Sequence, residues 1–151
     1  MQRMPDSSAK NALKLSLVDD IREIDLAAAK IEAHCAENGL APEIVFDIKL
    51  AVDELLTNTI SYGYDDDREH RIDLVLRLEG NKLVVEITDD GSPFDPSQMP
   101  DTDTWANLES RPMGGLGVYF VRRVMDGVAY RREDGCNIVT LTKRTTRTDS
   151  S

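Results

Sequence analysis

A run of strict alternation between residues 72 and 87 limits the fold more than any other feature. Ile72, Leu74, Leu76 and Leu78 take every second place, Glu79-Gly80-Asn81 interrupts, and Leu83, Val85 and Ile87 resume the period. A period of two puts all seven side chains on one face of a pleated pair, and the short Gly-Asn turn between the runs predicts a β-hairpin. The same alternation in Leu13, Leu15 and Leu17 predicts a first strand over about 11–18. Two last strands, near 128–132 and 136–143, flank the turn Glu133-Asp134-Gly135.

The other segments follow a helical period. Asp19 or Asp20 is placed to cap a helix with Ile21, Ile24, Ala28, Ile31 and Cys35 inward, and Gly39 stops it. Pro42 opens a second helix, in the first turn where its missing N–H is no loss; Val45, Ile48, Val52, Leu55 and Thr59 face inward to about Tyr62. After a loop from Asp89 to about Pro112, rich in Pro, Asp, Ser and Thr, the segment GGLG leads into a third helix, VYFVRRVMD, ended by Gly127. A loop of that length inside a small domain is functional or mobile as a rule. The order is strand, two helices, hairpin, helix, hairpin. This grouping predicts an α+β, two-layer sandwich with three helices on one face of a mixed, mostly antiparallel sheet. One domain is expected over 10–144, between disordered tails at 1–9 and 145–151.

Charge narrows the partners. The net charge of −10 opposes binding to a nucleic-acid backbone, which needs a basic face, and to an anionic membrane surface. A polyphosphate remains compatible when a metal ion and backbone N–H groups neutralise it locally. No apolar run reaches membrane-spanning length and residues 1–10 lack the apolar core of a signal peptide, so a cytoplasmic protein is expected. The two cysteines, Cys35 and Cys136, sit in unlike contexts and are expected to be reduced.

Three segments carry chemistry. In DELLTN, Glu54 and Asn58 are four apart on the second helix and point the same way, with Asp47 seven residues earlier on that face. Asn58 offers a neutral oxygen to Mg²⁺, and Glu54 could take a proton from a hydroxyl attacking a γ-phosphate. A solvated helix face is the structural alternative. In TDDGSPFDP, Asp89 ends a strand as a carboxylate acceptor for an adenine amino group, and Gly91 leaves the backbone free to approach. An ordinary Asp-Gly turn is the alternative. In GGLG, Gly114, Gly115, Leu116 and Gly117 feed a helix N-terminus whose free N–H groups suit phosphate, with Arg111 just before. A flexible hinge and a surface arginine are the alternatives. The segment is neither a Walker A nor a Rossmann fingerprint.

DELLTN…YGY, TDDGSPFDP and GGLGVYFVRRVMD, in this order, resemble the histidine-kinase-like ATPases of the GHKL (Bergerat-fold) superfamily. Within it the likeness is to the stand-alone anti-sigma-factor serine/threonine kinases, over about residues 10–143. The resemblance implies an ATP-binding Bergerat fold with Asn58 as Mg²⁺ ligand and Glu54 as general base. It makes Asp89, with Gly91 beside it, the reader of the adenine amino group, and gives Gly115 and Gly117 to the loop closing over the phosphates. It further implies a kinase that binds a sigma factor, phosphorylates a STAS-type anti-anti-sigma protein and forms a homodimer. Two positions depart from the pattern: Tyr62 stands where His is frequent, and Pro93 where many members have a second glycine. His34 and His70 lie outside the motifs and are expected at the surface. A non-catalytic, ATP-gated binding module and a free ATPase are the other functions weighed.

Overall fold

The computed structural model describes residues 12–96 and 115–145. The elements are β1 (Leu13–Val18), α1 (Arg22–Glu37), α2 (Pro42–Tyr62), β2 (Arg71–Glu79), β3 (Lys82–Asp89), α3 (Gly115–Val124), β4 (Gly127–Glu133) and β5 (Cys136–Arg144). The strands form one sheet in the order β1-β2-β3-β5-β4. Every ladder in it is antiparallel, so the mixed component expected from the sequence is absent from the described sheet. Each strand pairs with a hairpin neighbour or with a strand running back beside it, and no crossover between parallel strands is needed.

The alternation acts as read. Ile72, Leu74, Leu76, Leu83, Val85 and Ile87 are buried in one cluster with Val139 and Leu141 of β5, under Ile31 and Cys35 of α1, Ile48 and Leu56 of α2 and Val121 of α3. The opposite face carries Ser16, Asp73, Glu86, Thr88 and Thr140 across the strands, a solvated face typical of antiparallel sheets.

The α1 stripe keeps Ile24, Ile31 and Cys35 inward as expected and differs at two positions. Ala27 is fully buried where Ala28 was expected, and Ile21 is 51% exposed, because it is the N-cap and precedes the helix's core-facing turns. Neither Asp19 nor Asp20 caps the helix as expected: Ile21 is the N-cap, with no side-chain cap hydrogen bond, and Asp20 Oδ1 accepts the Arg22 N–H at 2.9 Å from one residue earlier. Gly39, at φ 72°, ends α1 in the left-handed conformation that glycine takes at little steric cost. Pro42 stands at the start of α2 as expected.

Helix α3 starts at Gly115, not at Val118, since the N–H groups of a first helical turn need no intrahelical partner. It ends at Val124, and Gly127 opens β4. Both cysteines are free; Cys35 is buried in the core, and that burial pushes its thiol up to about 11. The Thr145 N–H donates to the Asn81 carbonyl at 2.8 Å. Residues 1–9 and 146–151 and the loop Ser97–Pro112 lie outside the described residues. No helix among the described residues is long and apolar enough to cross a membrane.

Candidate active site

A cavity of about 270 Å³ opens between the C-terminal half of α2 and the sheet. Leu55, Ile87, Phe94 and Val139 supply apolar walls, and Asn58, Asp89 and Asn137 supply polar ones. A mostly apolar cleft with a few convergent polar groups is the usual form of a small-molecule site. The inward positions of β3 run Leu83, Val85, Ile87 and then Asp89, so the period that builds the core ends by aiming a carboxylate into the cavity. Helix α2 brings Asn58 opposite by the same logic, one turn beyond Leu55.

Asp89 is 7% exposed and held by its own neighbours. Its Oδ1 accepts the Gly91 N–H at 2.8 Å and the Asn137 Nδ2 at 3.0 Å. Neither donor engages Oδ2. Burial raises the Asp89 carboxyl above its ordinary value, against the lowering effect of Asn137 and Gly91. Asn137, directly opposite Asp89 in the β3–β5 ladder, also donates to the Ser92 carbonyl at 2.9 Å. Its Oδ1 accepts from Tyr130 Oη at 2.7 Å and Arg132 Nη1 at 2.9 Å. Both polar atoms of this buried amide are thus engaged, Nδ2 by Asp89 and the loop after β3, Oδ1 by β4. Sequence reading missed it, although an Asn in the inward phase of Asn137, Val139 and Leu141 was the available signal.

Gly91 meets a packing requirement besides the backbone approach expected of it. A Cβ built on it would lie 2.6 Å from the Gly63 carbonyl oxygen, which itself accepts the Ser92 N–H at 2.8 Å. The loop after β3 is therefore latched onto the end of α2, and the glycine makes room for that latch.

On the helix side, Asn58 is 8% exposed and its Oδ1 is buried with no hydrogen-bond partner among the described residues. An unpaired buried carbonyl oxygen costs about 1–3 kcal/mol and is the acceptor a hard cation takes. Asn58 and the cavity thus fit Mg²⁺ carried by a nucleotide. Among the described residues no three His, Cys, Asp or Glu side chains gather to hold a metal ion; Mg²⁺ at a nucleotide usually keeps one or two protein ligands beside phosphate and water. Glu54 is half-buried one turn earlier and does not line the cavity. Burial, and then the neighbouring Asp53 charge, raise its carboxyl and make it a better proton acceptor. Asp47, two turns before Glu54 on that face, does not line the cavity: its carboxylate pairs with Lys143 at 2.9 Å, and the same ammonium donates to the Val124 carbonyl at the end of α3. Asp47 therefore fastens helices to sheet.

Tyr62, the position where the family pattern has His, lies on the cavity wall with Pro93. Gly115, Leu116 and Gly117 form the first turn of α3, whereas Arg111 and Gly114 lie outside the described residues. His70 contradicts the surface expectation. It is 5% exposed, because three separate segments bring hydrogen-bond partners to it.

Residues 17–143 match the family model described as the histidine kinase-like ATPase domain. The chain is 32% identical over 97 residues to the serine/threonine-protein kinase BtrW of Bordetella bronchiseptica, covering 64% of this chain and 68% of that protein. It is 24% identical over 120 residues to the serine-protein kinase RsbW of Listeria monocytogenes, covering 77% and 76%. A crystal structure of the RsbU and RsbW domains of a Mycobacterium tuberculosis protein aligns with a TM-score of 0.67 at 20% identity, a likeness of fold. It covers 90% of this chain, which spans about a third (33%) of that one.

Proposed function

The chain belongs to the histidine kinase-like ATPase family, and on that premise we propose that it is an ATP- and Mg²⁺-dependent serine/threonine protein kinase and anti-sigma factor. Its substrate in this reading is a STAS-type anti-anti-sigma protein, its second partner a sigma factor, and its working form a homodimer. The observation that carries the reading is the buried Asn58 Oδ1, without a partner among the described residues, on a side chain that lines the same cavity as Asp89. Asp89 accepts the adenine amino hydrogen while Leu55, Ile87, Phe94 and Val139 exclude water around the base. Asn58 Oδ1 holds Mg²⁺, and the N-terminal turn of α3, with Gly114 and Arg111 before it, takes the phosphates. The nucleotide supplies the phosphoryl group and the metal supplies charge neutralisation. Glu54 accepts the proton of the attacking serine or threonine hydroxyl at its carboxylate.

A second reading, an ATP-gated binding module without phosphoryl transfer, is favoured by one observation: Glu54 does not line the cavity. Incubation with labelled ATP, Mg²⁺ and STAS-domain proteins from the same genome separates the two. Label should pass to one STAS protein, and Glu54→Gln should slow transfer by about 100-fold or more while keeping ATP affinity. Tight ATP binding with no transfer to any of them would establish the binding module instead.

A further inference from the structure

His70 closes the short, charged segment between α2 and β2, at the point where the chain enters β2. Its backbone is pinned on both sides to the β1–α1 turn: the His70 N–H donates to Asp19 Oδ1 at 3.1 Å, and the Asp19 N–H donates to the His70 carbonyl at 3.1 Å. Its ring stacks on Tyr64 at 3.9 Å between centroids and 7° between planes. Nε2 lies 2.7 Å from Asp66 Oδ1, and Nδ1 lies 3.0 Å from Asp90 Oδ1.

Ionised carboxylates only accept, and an imidazole has two donors only when it is protonated. Two ring nitrogens on two carboxylates therefore select the imidazolium, and a neutral ring must lose one of the two bonds. Asp90 stands between Asp89 and Gly91, whose N–H fixes Asp89 Oδ1. We propose that His70 is a positioning residue for nucleotide binding: its imidazolium ties the segment after α2 to Asp90 and so holds the Asp89–Gly91 loop in its base-reading geometry. This rests on the nucleotide reading of the cavity.

The charges around the ring agree with a cationic state. Asp66 and Asp90 contact it from the segment and the loop, Asp19 accepts the His70 backbone N–H from the β1–α1 turn, Asp65 and Asp89 flank these in sequence, and among the described residues Arg68 is the cation beside the group, 3.5 Å from Asp66. The Asp66 hydrogen bond holds the imidazole above its ordinary pKa and, with Asp90, outweighs burial, while Asp66 itself is lowered. A raised His contributes stability present in full below its unfolded pKa and lost as pH rises through the folded one. A lowered Asp contributes stability present above its unfolded pKa and lost as pH falls through the folded one. The clamp is thus complete between the ordinary values, 3.8 and 6.5, and releases above the raised His value.

Affinity for a fluorescent ADP, measured with the full chain from pH 5.5 to 9, tests this. Wild-type affinity should fall about tenfold as His70 loses its proton, the loss of one charged hydrogen bond. His70→Gln should bind weakly at every pH, with a flat profile. Asp90→Asn, nearly isosteric, lets an amide donate to a neutral Nδ1, so the clamp should survive loss of the ring proton and the fall should disappear. A wild-type profile unchanged in His70→Gln, or kept in Asp90→Asn, overturns the proposal. NMR without nucleotide separates it from the nucleotide reading. The Gly91 amide should titrate with the His70 ring, and an invariant Gly91 amide refutes the clamp. If the amide titrates but no nucleotide binds at any pH, the clamp stands and the nucleotide reading falls.

Discussion

The two ends of the cavity are built in opposite ways. At the β3 end, Asp89 is held by Gly91 and Asn137, Asn137 by Tyr130 and Arg132, and Ser92 by Gly63. At the α2 end, Asn58 Oδ1 is buried with nothing to meet it among the described residues. One end is organised by the chain's own hydrogen bonds, and the other leaves an acceptor for a ligand to satisfy. A preorganised end gives specificity, because a mismatched group leaves buried donors and acceptors unpaired. On the proposed reading, bound metal and nucleotide complete the core at the unsatisfied end.

The largest expected effect breaks the organised end. Asp89→Asn can keep the Asn137 and Gly91 bonds through its carbonyl, but it then turns an amide donor toward the adenine amino group. Nucleotide affinity should fall by about two orders of magnitude with an unchanged circular dichroism spectrum. Gly91→Ala comes next, since its Cβ at 2.6 Å from the Gly63 carbonyl must push the loop off α2. A loss of about 2 kcal/mol of stability in denaturant titration is expected, as for other overpacked sites. Asn58→Ala sharpens the contrast with the smallest change. Removing an unpaired buried polar group should leave the apo protein as stable or about 1 kcal/mol more so, while the Mg²⁺-dependent gain in nucleotide affinity disappears. A destabilised apo Asn58→Ala would mean that Asn58 is already satisfied without ligand.

Those two ends also differ in how legible they were. The hairpin alternation and the four-residue step from Glu54 to Asn58 are local periodicities, and the structure keeps both. Asp89 was visible because it ends a strand. Asn137 was not singled out, since its role comes from β5 lying beside β3, 48 residues away in sequence from its Asp89 partner. His70 sits in DDDREH, a charged run that reads as solvated. It is buried because Asp19 and Asp90, 51 and 20 residues away, converge on it. Asp47 shared the polar phase of α2, but only tertiary packing could reveal that Lys143 claims it. Local pattern yields elements and the faces of single helices; it does not yield pairings that depend on strand order.

The Gly63–Gly91 latch has an evolutionary side. Gly39, Gly80 and Gly135 have positive φ with nothing within 4 Å of a prospective Cβ, so drift to Asn or Asp is open to them at modest cost. Asp134, at φ 53°, already shows that such a step is tolerated. Gly63 and Gly91 have no left-handed backbone to relieve. Each would thrust a Cβ to within 2.6 Å of a backbone oxygen, of Thr59 and of Gly63 respectively. No side chain is small enough, so descendants of this chain are free to wander at the turns and are frozen where α2 meets the loop after β3.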